Sequence, residues 1–513
     1  MFYRVLDYCN RSKPRLGDGL ALGAGLLMPL AFAPFAIRLI PFVALPLFIL
    51  LLHKLSPKHA LLRGFLFGLG MFGLGVSWVF NSMYDFGSAS IGVAALIAFS
   101  MVLINAVFFA GIAFTMQRYF YSASRLQRNI IVFPALWVIV EWLRSWLFTG
   151  FPWLFLGYSQ VDTVLAAFTP VGGVFLTSFI TVFLVGVMVL IVSTDKRYKL
   201  FVAGTIVGIL LLAFGLRFVQ WTKAYDEPLS VALVQGAVPQ EIRMQPEQLP
   251  VSEQRYKELT FPYFDRDLIV WPETAIPTFA AWAEPYLLTI EEQLNGSSTD
   301  LLTGIFTRDS TYQRYYNSLL KLSAEKALSR PAYHKRRLVP FGEFMPFRSA
   351  LEFMRGYIDI PMSDIAVGES TPMMILAGYP VALGVCYESA YPQIYREQLP
   401  EAAYMINVSN DAWFGDSFAP HQHLEIAQVR ALEFGRYMLR ATNTGISAVI
   451  DPRGRIIARS KQFMPEVLLA RFRPYTGSTP YVLLGNWPVL ILCFVLISAA
   501  VIPRQGLHMP LRK

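Results

Sequence analysis

Three short stretches of the chain supply a carboxylate, an ammonium and a thiol, which together make an acyl-transfer site. Leu268-Ile269-Val270-Trp271-Pro272-Glu273 sets a glutamate just beyond an apolar run. Tyr333–Glu343 supplies Lys335 and a second carboxylate, Glu343. Gly384-Val385-Cys386-Tyr387-Glu388 ends an alternating apolar run in a cysteine. A thiol needs a nearby base or cation to become a useful nucleophile. Glu273 can take the thiol proton and later return it to a leaving group. Lys335, with the backbone N–H after the cysteine, can hold a developing oxyanion. Such a site needs no metal and no cofactor. Each residue alone has a plainer role: Cys386 as a small buried hydrophobe, Glu273 as a turn cap, Lys335 in a solvated basic face with Arg336 and Arg337. Their joint occurrence at the ends of apolar runs favours catalysis. Other templates fail: there is no Gly-x-Ser-x-Gly elbow and no Walker-type loop. His421-x-His423 lacks a third ligand in sequence and is read as structural. Three scattered cysteines give neither a disulfide framework nor metal-ligand spacing.

The elements that must position these groups lie between Leu229 and about Arg473, where short β-type runs alternate with turn and helix signals. Strands are expected at Leu229–Gln235, Leu268–Trp271, Leu301–Phe306, Tyr316–Leu322, Val381–Cys386, Ala403–Val408 and Ile446–Ile450. Helices are expected at Glu253–Leu259, Ala281–Leu294, Tyr391–Gln398 and Gln422–Leu439. This is an α/β domain with a layered sheet core.

The rest of the chain reads as membrane protein. Of 513 residues, 55% are hydrophobic and only 15% charged, and mean hydropathy is +0.45. The net charge of +9 comes with no Lys/Arg block interleaved with aromatics, so no nucleic-acid partner is expected. Hydropathy suggests about eight spans: Leu20–Phe35, Leu39–Leu52, Leu61–Phe80, Ile91–Met116, Ile130–Phe148, Val171–Val192, Leu200–Val219 and Val482–Val501. Lys and Arg cluster before the first span and after the second, fourth, sixth and eighth. The positive-inside rule then puts both termini in the cytoplasm and Lys223–Pro480 on the far side. Within the spans, Glu141 and Arg144 are spaced to pair. Gly64, Gly68, Gly70, Gly73 and Gly75 offer a small-residue packing face. The aromatic loop Thr149–Gln160 is expected at the outer interface, as an anchor or as the mouth of a lipid cleft.

The three chemical stretches resemble the signature blocks of the nitrilase (carbon–nitrogen hydrolase) superfamily. Tyr316-Asn317-Ser318, Ser409–Gly415 and Ala441–Gly445 are similar to its secondary blocks. With seven spans before the domain and one after, the whole chain resembles the bacterial apolipoprotein N-acyltransferase family. The resemblance implies a multi-pass helical membrane domain (1–222), a periplasmic α-β-β-α sandwich (223–478) and a C-terminal helix with a cytoplasmic tail (479–513), all in the cell inner membrane. It implies transfer of a fatty acyl chain from a phospholipid to the α-amino group of a diacylated apolipoprotein; a monomer is expected. Carried over, Glu273 is the base, Lys335 the transition-state stabiliser and Cys386 the nucleophile. Glu343, Tyr387, Glu388 and Trp413 are supporting residues. Two positions depart from the family pattern: Met244 stands where a tryptophan is usual, and Arg337 replaces a histidine.

An oxyester donor and an amide product place a thioester at Cys386 between them and predict ping-pong kinetics. The apolar segment Phe344–Met362 is expected to dip into lipid or close over acyl chains as a lid. The rival enzymatic reading is a membrane-tethered amidase that uses water, but a tether needs one helix rather than eight. A transporter with a degenerate extramembrane domain is disfavoured by intact Glu273, Lys335 and Cys386.

Overall fold

The computed structural model describes residues 13–87, 89–191, 196–243, 245–324, 332–345, 365–369 and 373–501. They form two compact units. One comprises the described residues of Met1–Gly75, Ser100–Phe218 and Leu484–Lys513; the other comprises Val76–Phe99 and Val219–Leu483.

The first unit is helical, and helices of spanning length among the described residues number fewer than the eight expected spans. Among the described residues, two helices are long and apolar enough to cross a membrane, Ile91–Arg118 (α1) and Val164–Ile191 (α2). A bent pair, Pro57–Gly75 with Trp78–Tyr84, would make a third; Trp78–Tyr84 and the first turns of α1, up to Phe99, are counted with the second unit. Prolines account for much of the shortfall, because each removes a backbone donor and crowds the preceding turn. The first expected span stops as an α-helix at Leu27 and tightens into a 3₁₀ turn that carries Pro29. The second shortens to Pro41–Leu51, with Pro46 inside it. The last begins as two pieces, Pro480–Leu484 and Trp487–Val501. The glycine-rich segment packs closely on two different neighbours. A Cβ at Gly70 would sit 2.4 Å from the Leu22 carbonyl, and one at Gly68 would sit 2.6 Å from the Ala106 Cα on α1.

One expectation about this unit is corrected. Glu141 and Arg144 are held by other groups rather than by a direct ion pair. Glu141 accepts from Trp137 Nε1 (2.9 Å) and the Leu156 N–H (2.7 Å). Arg144 donates to Asn105 Oδ1 (2.9 Å) and the Trp153 carbonyl (2.7 Å). Those bonds fold the aromatic loop onto the helices, and Trp153 through Gln160 is buried within protein, where other groups satisfy its irregular backbone.

The second unit is a two-sheet sandwich. A seven-stranded sheet contains Leu229–Gln235, Leu268–Val270 (β1), Ile276–Phe279, Asp300–Arg308, Tyr315–Leu322 (β2), Ala332–His334 (β3) and Glu466–Phe472. A six-stranded sheet contains Met374–Leu376, Tyr379–Val385 (β4), Tyr404–Ser409 (β5), Met438–Thr442 (β6), Ala448–Ile450 and Ile456–Arg459. Alternation along the strands explains the layers. Val231, Leu233, Leu268 and Val270 meet Leu383, Val385, Ile406 and Val408 between the sheets. Their neighbours Ala232, Val234 and Ile269 point the other way, onto Tyr256 and onto Leu287, Ile290 and Leu294 of helix Glu284–Leu294. The outer face of the second sheet is covered by Pro392–Arg396 and Ala419–Phe434 (α3). There Tyr395 lies so close to Gly384 that a Cβ would meet its hydroxyl at 2.3 Å.

Val76–Phe99 packs within this second unit. Trp78 donates to Gln422 Oε1 on α3 (3.2 Å) and lies edge-on to Phe414, with ring centroids 4.9 Å apart. Phe86 lies edge-on to Trp413. The expected helix Gln422–Leu439 ends at Phe434, because Gly435 takes a left-handed cap (φ 60°), and Met438 then starts β6. Met244 and most of the expected lid Phe344–Met362 lie outside the described residues.

Candidate functional site

Each reactive group sits just past the end of a strand. Glu273 is the third residue after β1, in a turn that carries Thr274 at φ 48°. The neighbouring strand approaches this turn at Gly304, where a Cβ would fall 2.4 Å from the Thr274 nitrogen. Buried Arg243 holds the turn from behind, donating to the Glu273 carbonyl (2.6 Å) and to the Thr274 carbonyl. Lys335 follows β3, and its N–H bonds the Asn317 carbonyl on β2 (2.8 Å). Cys386 follows β4 and opens the 3₁₀ turn Cys386–Ala390 at φ 52°. A left-handed conformation is strained for a residue with a Cβ, and such strain recurs at functional sites.

Glu273, Lys335 and Glu343 form one buried cluster. Lys335 Nζ lies 3.1 Å from Glu273 Oε1 and 2.8 Å from Glu343 Oε1. Asn317 Nδ2 donates to Glu273 Oε1 (2.7 Å) and to Glu343 Oε1 (3.3 Å). The Asn410 N–H binds Glu273 Oε2 (2.8 Å), and the Val339 N–H binds Glu343 Oε2 (2.8 Å). Burial alone would raise the Glu273 pKa, but Lys335, Asn317 and the Asn410 N–H together hold it below the ordinary carboxylate value. Burial likewise disfavours charge on Lys335, yet the two carboxylates outweigh it and push its pKa well up. The thiol goes the other way: burial, then the negative charge of Glu273, lifts the Cys386 pKa far above normal despite Lys335. At rest the site holds an ionised carboxylate, an ammonium and a neutral thiol. That combination suits proton removal during attack rather than a standing thiolate.

The expected supporting residues divide by location. Glu388 lies outside the Lys335 cluster and ties the cysteine turn to the lysine strand. Its carboxylate accepts from the Val385 N–H (2.7 Å), Tyr333 Oη (2.9 Å), the Arg336 N–H (2.6 Å) and the Arg337 N–H (3.0 Å). Burial pushes its pKa up while these donors oppose the rise. Replacing Glu388 with Gln turns an N–H toward one of those donors. It is expected to cost about 2–3 kcal/mol, read as a lower thermal midpoint together with slower acylation of Cys386. The Tyr387 hydroxyl accepts from Tyr391 (3.1 Å), whose ring lies under the Arg337 guanidinium at 4.5 Å. Trp413 is half-buried beside Phe86, just beyond the Asn410 that binds Glu273.

Several residues that matter here were not assigned roles from sequence. Asn317 and Asn410 stood in similar blocks, but neither residue type announces a ligand for glutamate. Arg243 gave no signal at all. Asp411, His423 and Arg440 form a buried network: Arg440 Nη2 reaches Asp411 Oδ2 at 2.7 Å and His423 Nδ1 at 2.9 Å. The pairing of Arg440 with Asp411 is what allows a charge in the middle of β6. His423 therefore takes part in a hydrogen-bond network. Among the described residues no His, Cys, Asp and Glu group is arranged to hold a metal ion.

Comparison with known proteins agrees with this architecture. The family pattern for the apolipoprotein N-acyltransferase N-terminal domain matches residues 24–187, and that for carbon–nitrogen hydrolases matches 230–481. The chain is 43% identical over 476 residues to the apolipoprotein N-acyltransferase of Methylococcus capsulatus, covering 92% of this chain and 94% of that protein. It is 38% identical to the Azotobacter vinelandii protein of the same name, covering 96% of each. A solved CN-hydrolase superfamily protein from Xanthomonas campestris aligns with 52% of this chain and 97% of its own, at 18% identity and a TM-score of 0.36. The chain belongs to the apolipoprotein N-acyltransferase family.

Proposed function

We propose that the chain moves a fatty acyl group from a phospholipid, through a Cys386 thioester, to the α-amino group of the S-diacylglyceryl cysteine of apolipoproteins. The observation that carries this is the full-length likeness to apolipoprotein N-acyltransferases, which extends through the helical half as well as the hydrolase half. Water as acceptor would not require that helical half. In the first half-reaction Glu273 takes the Cys386 proton as sulfur attacks the ester carbon. Lys335 and the Tyr387 N–H stabilise the oxyanion. The intermediate collapses with loss of the lysophospholipid alkoxide, which receives the proton from Glu273. In the second, a neutral amine attacks the thioester, Glu273 accepts its proton, and collapse of the intermediate returns the thiol. Glu343 orients Lys335, Glu388 fixes the cysteine turn, and Trp413 and Tyr387 border the acyl path. The sandwich faces the periplasm of the inner membrane, with both termini cytoplasmic, and the enzyme works as a monomer.

Incubating the pure protein with radiolabelled phospholipid is expected to leave an acyl mass on the peptide containing Cys386, discharged by a diacylated lipopeptide. Absence of the adduct, or its discharge by water as fast as by lipopeptide, overturns the proposal. The two half-reactions should differ in pH dependence. Glu273 is held below its usual 4.5 and the thiol above its usual 9, so acylation should be flat between about pH 5 and 8. Transfer should rise toward about pH 8, as an α-amine with pKa ~7.7–8.0 loses its proton.

A further inference from the structure

The peptide unit that joins Cys386 to Tyr387 is anchored at its carbonyl end by a histidine that no other part of the site uses. His423 is fully buried on α3. Its Nε2 lies 3.1 Å from the Cys386 carbonyl oxygen and 2.7 Å from Ser389 Oγ. Its Nδ1 lies 2.9 Å from Arg440 Nη2 and 3.0 Å from Asp411 Oδ1. Arg440 can only donate and the Cys386 carbonyl can only accept, and both are satisfied by the tautomer with the lone pair on Nδ1 and the hydrogen on Nε2, which is the one the inference uses. Asp411 Oδ1 is served instead by Ser409 Oγ (2.7 Å), and Asp411 Oδ2 by Arg440. Asn407 Nδ2, itself fixed by Arg440, supplies a second and longer bond to the same carbonyl (3.3 Å).

We infer that His423 is a positioning residue that aims the backbone N–H of Tyr387 at the oxyanion. A peptide group is planar and trans, so its C=O and N–H point in opposite directions from one rigid plate. Fixing the Cys386 carbonyl from behind therefore fixes the direction of the Tyr387 N–H in front. The strained left-handed backbone of Cys386 makes that restraint necessary, since a strained φ persists only where surrounding contacts over-determine it. Arg440 and Asp411 act one step further back by holding the imidazole ring in place. This inference rests on the proposed acyl-transfer chemistry, in which a carbonyl oxygen gains charge.

Two reactions of the same thiol separate this role from a general structural one. Acyl transfer builds an oxyanion, whereas alkylation of Cys386 by iodoacetamide displaces iodide at a saturated carbon and builds none. In the full-length protein, His423→Ala is expected to slow acylation by phospholipid about ten- to a hundredfold in kcat, short of the ~10²–10³-fold loss of a whole oxyanion donor. KM should change little, and alkylation should stay within about twofold of wild type. His423→Gln, which can still present an N–H to the carbonyl, should recover much of the rate. Unchanged acylation in His423→Ala overturns the inference. So does a parallel fall in acylation and alkylation, which marks damage to the whole turn. If wild-type protein takes no acyl group from phospholipid, the functional proposal itself fails. The same comparison made with a p-nitrophenyl acyl ester then still tests His423, because that ester also passes through an oxyanion.

Discussion

Replacing Lys335 with Met should remove activity and stability together, and a second substitution should return only the stability. The ammonium bonds two buried carboxylates at once, at 3.1 and 2.8 Å. Without it Glu273 and Glu343 face each other across Asn317 with like charge. Removing one partner of a buried pair costs about 3–5 kcal/mol. For a body of this size that lowers the thermal midpoint by roughly 6–20 °C. Adding Glu343→Gln takes away the repulsion and should recover a large part of that loss in calorimetry. Acylation of Cys386 should remain down about a thousandfold in both variants, because the oxyanion has lost its cation. Recovery of activity in the double variant would show that Lys335 serves stability alone. The pH window follows from the shifts. Glu273 contributes stability above the ordinary carboxylate range and loses it as pH falls through its depressed pKa. Lys335 contributes below the ordinary lysine range and loses it only above its raised pKa. The cluster is therefore intact across the whole neutral range.

Glu273→Gln should have a different profile, with a large chemical effect and a smaller effect on stability. Lys335 keeps Glu343 as its counter-ion, so the fold should lose about 2–3 kcal/mol, less than in Lys335→Met. The thiol, however, loses the group that takes its proton, and general-base catalysis is worth about 10²–10⁴-fold. Iodoacetamide labelling should fall along with acylation. In wild type, labelling should show no step near the usual cysteine pKa, since burial and Glu273 hold the thiol protonated beyond it. A labelling step near pH 8.5 would mean that a free thiolate reacts and that Glu273 is not the base.

The positions of Glu273 and Cys386 were legible because each ends an apolar run, and an apolar run reads as a buried strand. Strand β3 was not legible. Ala332-Tyr333-His334 is three residues long and mixed in character, and it exists because it pairs with Ser318–Leu320 of β2. Strand β6 was missed because Arg440 looks foreign to a core, and only the distant Asp411 makes its burial tolerable. In the helical half, two or three helices of spanning length stand among the described residues where hydropathy suggests eight spans. Hydropathy registers apolar length, but it does not register that Pro29 and Pro46 break or shorten a span, or that Glu141 and Arg144 fold an aromatic loop inward.

The catalytic unit begins with Val76–Phe99 and resumes only at Val219. Its Trp78 and Phe86 lie beside Phe414, Trp413 and Gln422, more than three hundred residues further along the chain. At a synthesis rate of roughly 5–20 residues per second, the intervening Ser100–Phe218 alone takes on the order of ten seconds to make. The early segment must therefore wait, already delivered, for a partner that does not yet exist. A gene fragment starting near residue 219 would encode a body with a missing piece, leaving Trp413, Phe414 and Gln422 uncovered. Supplying 76–99 in trans or by fusion should decide whether such a fragment stays soluble.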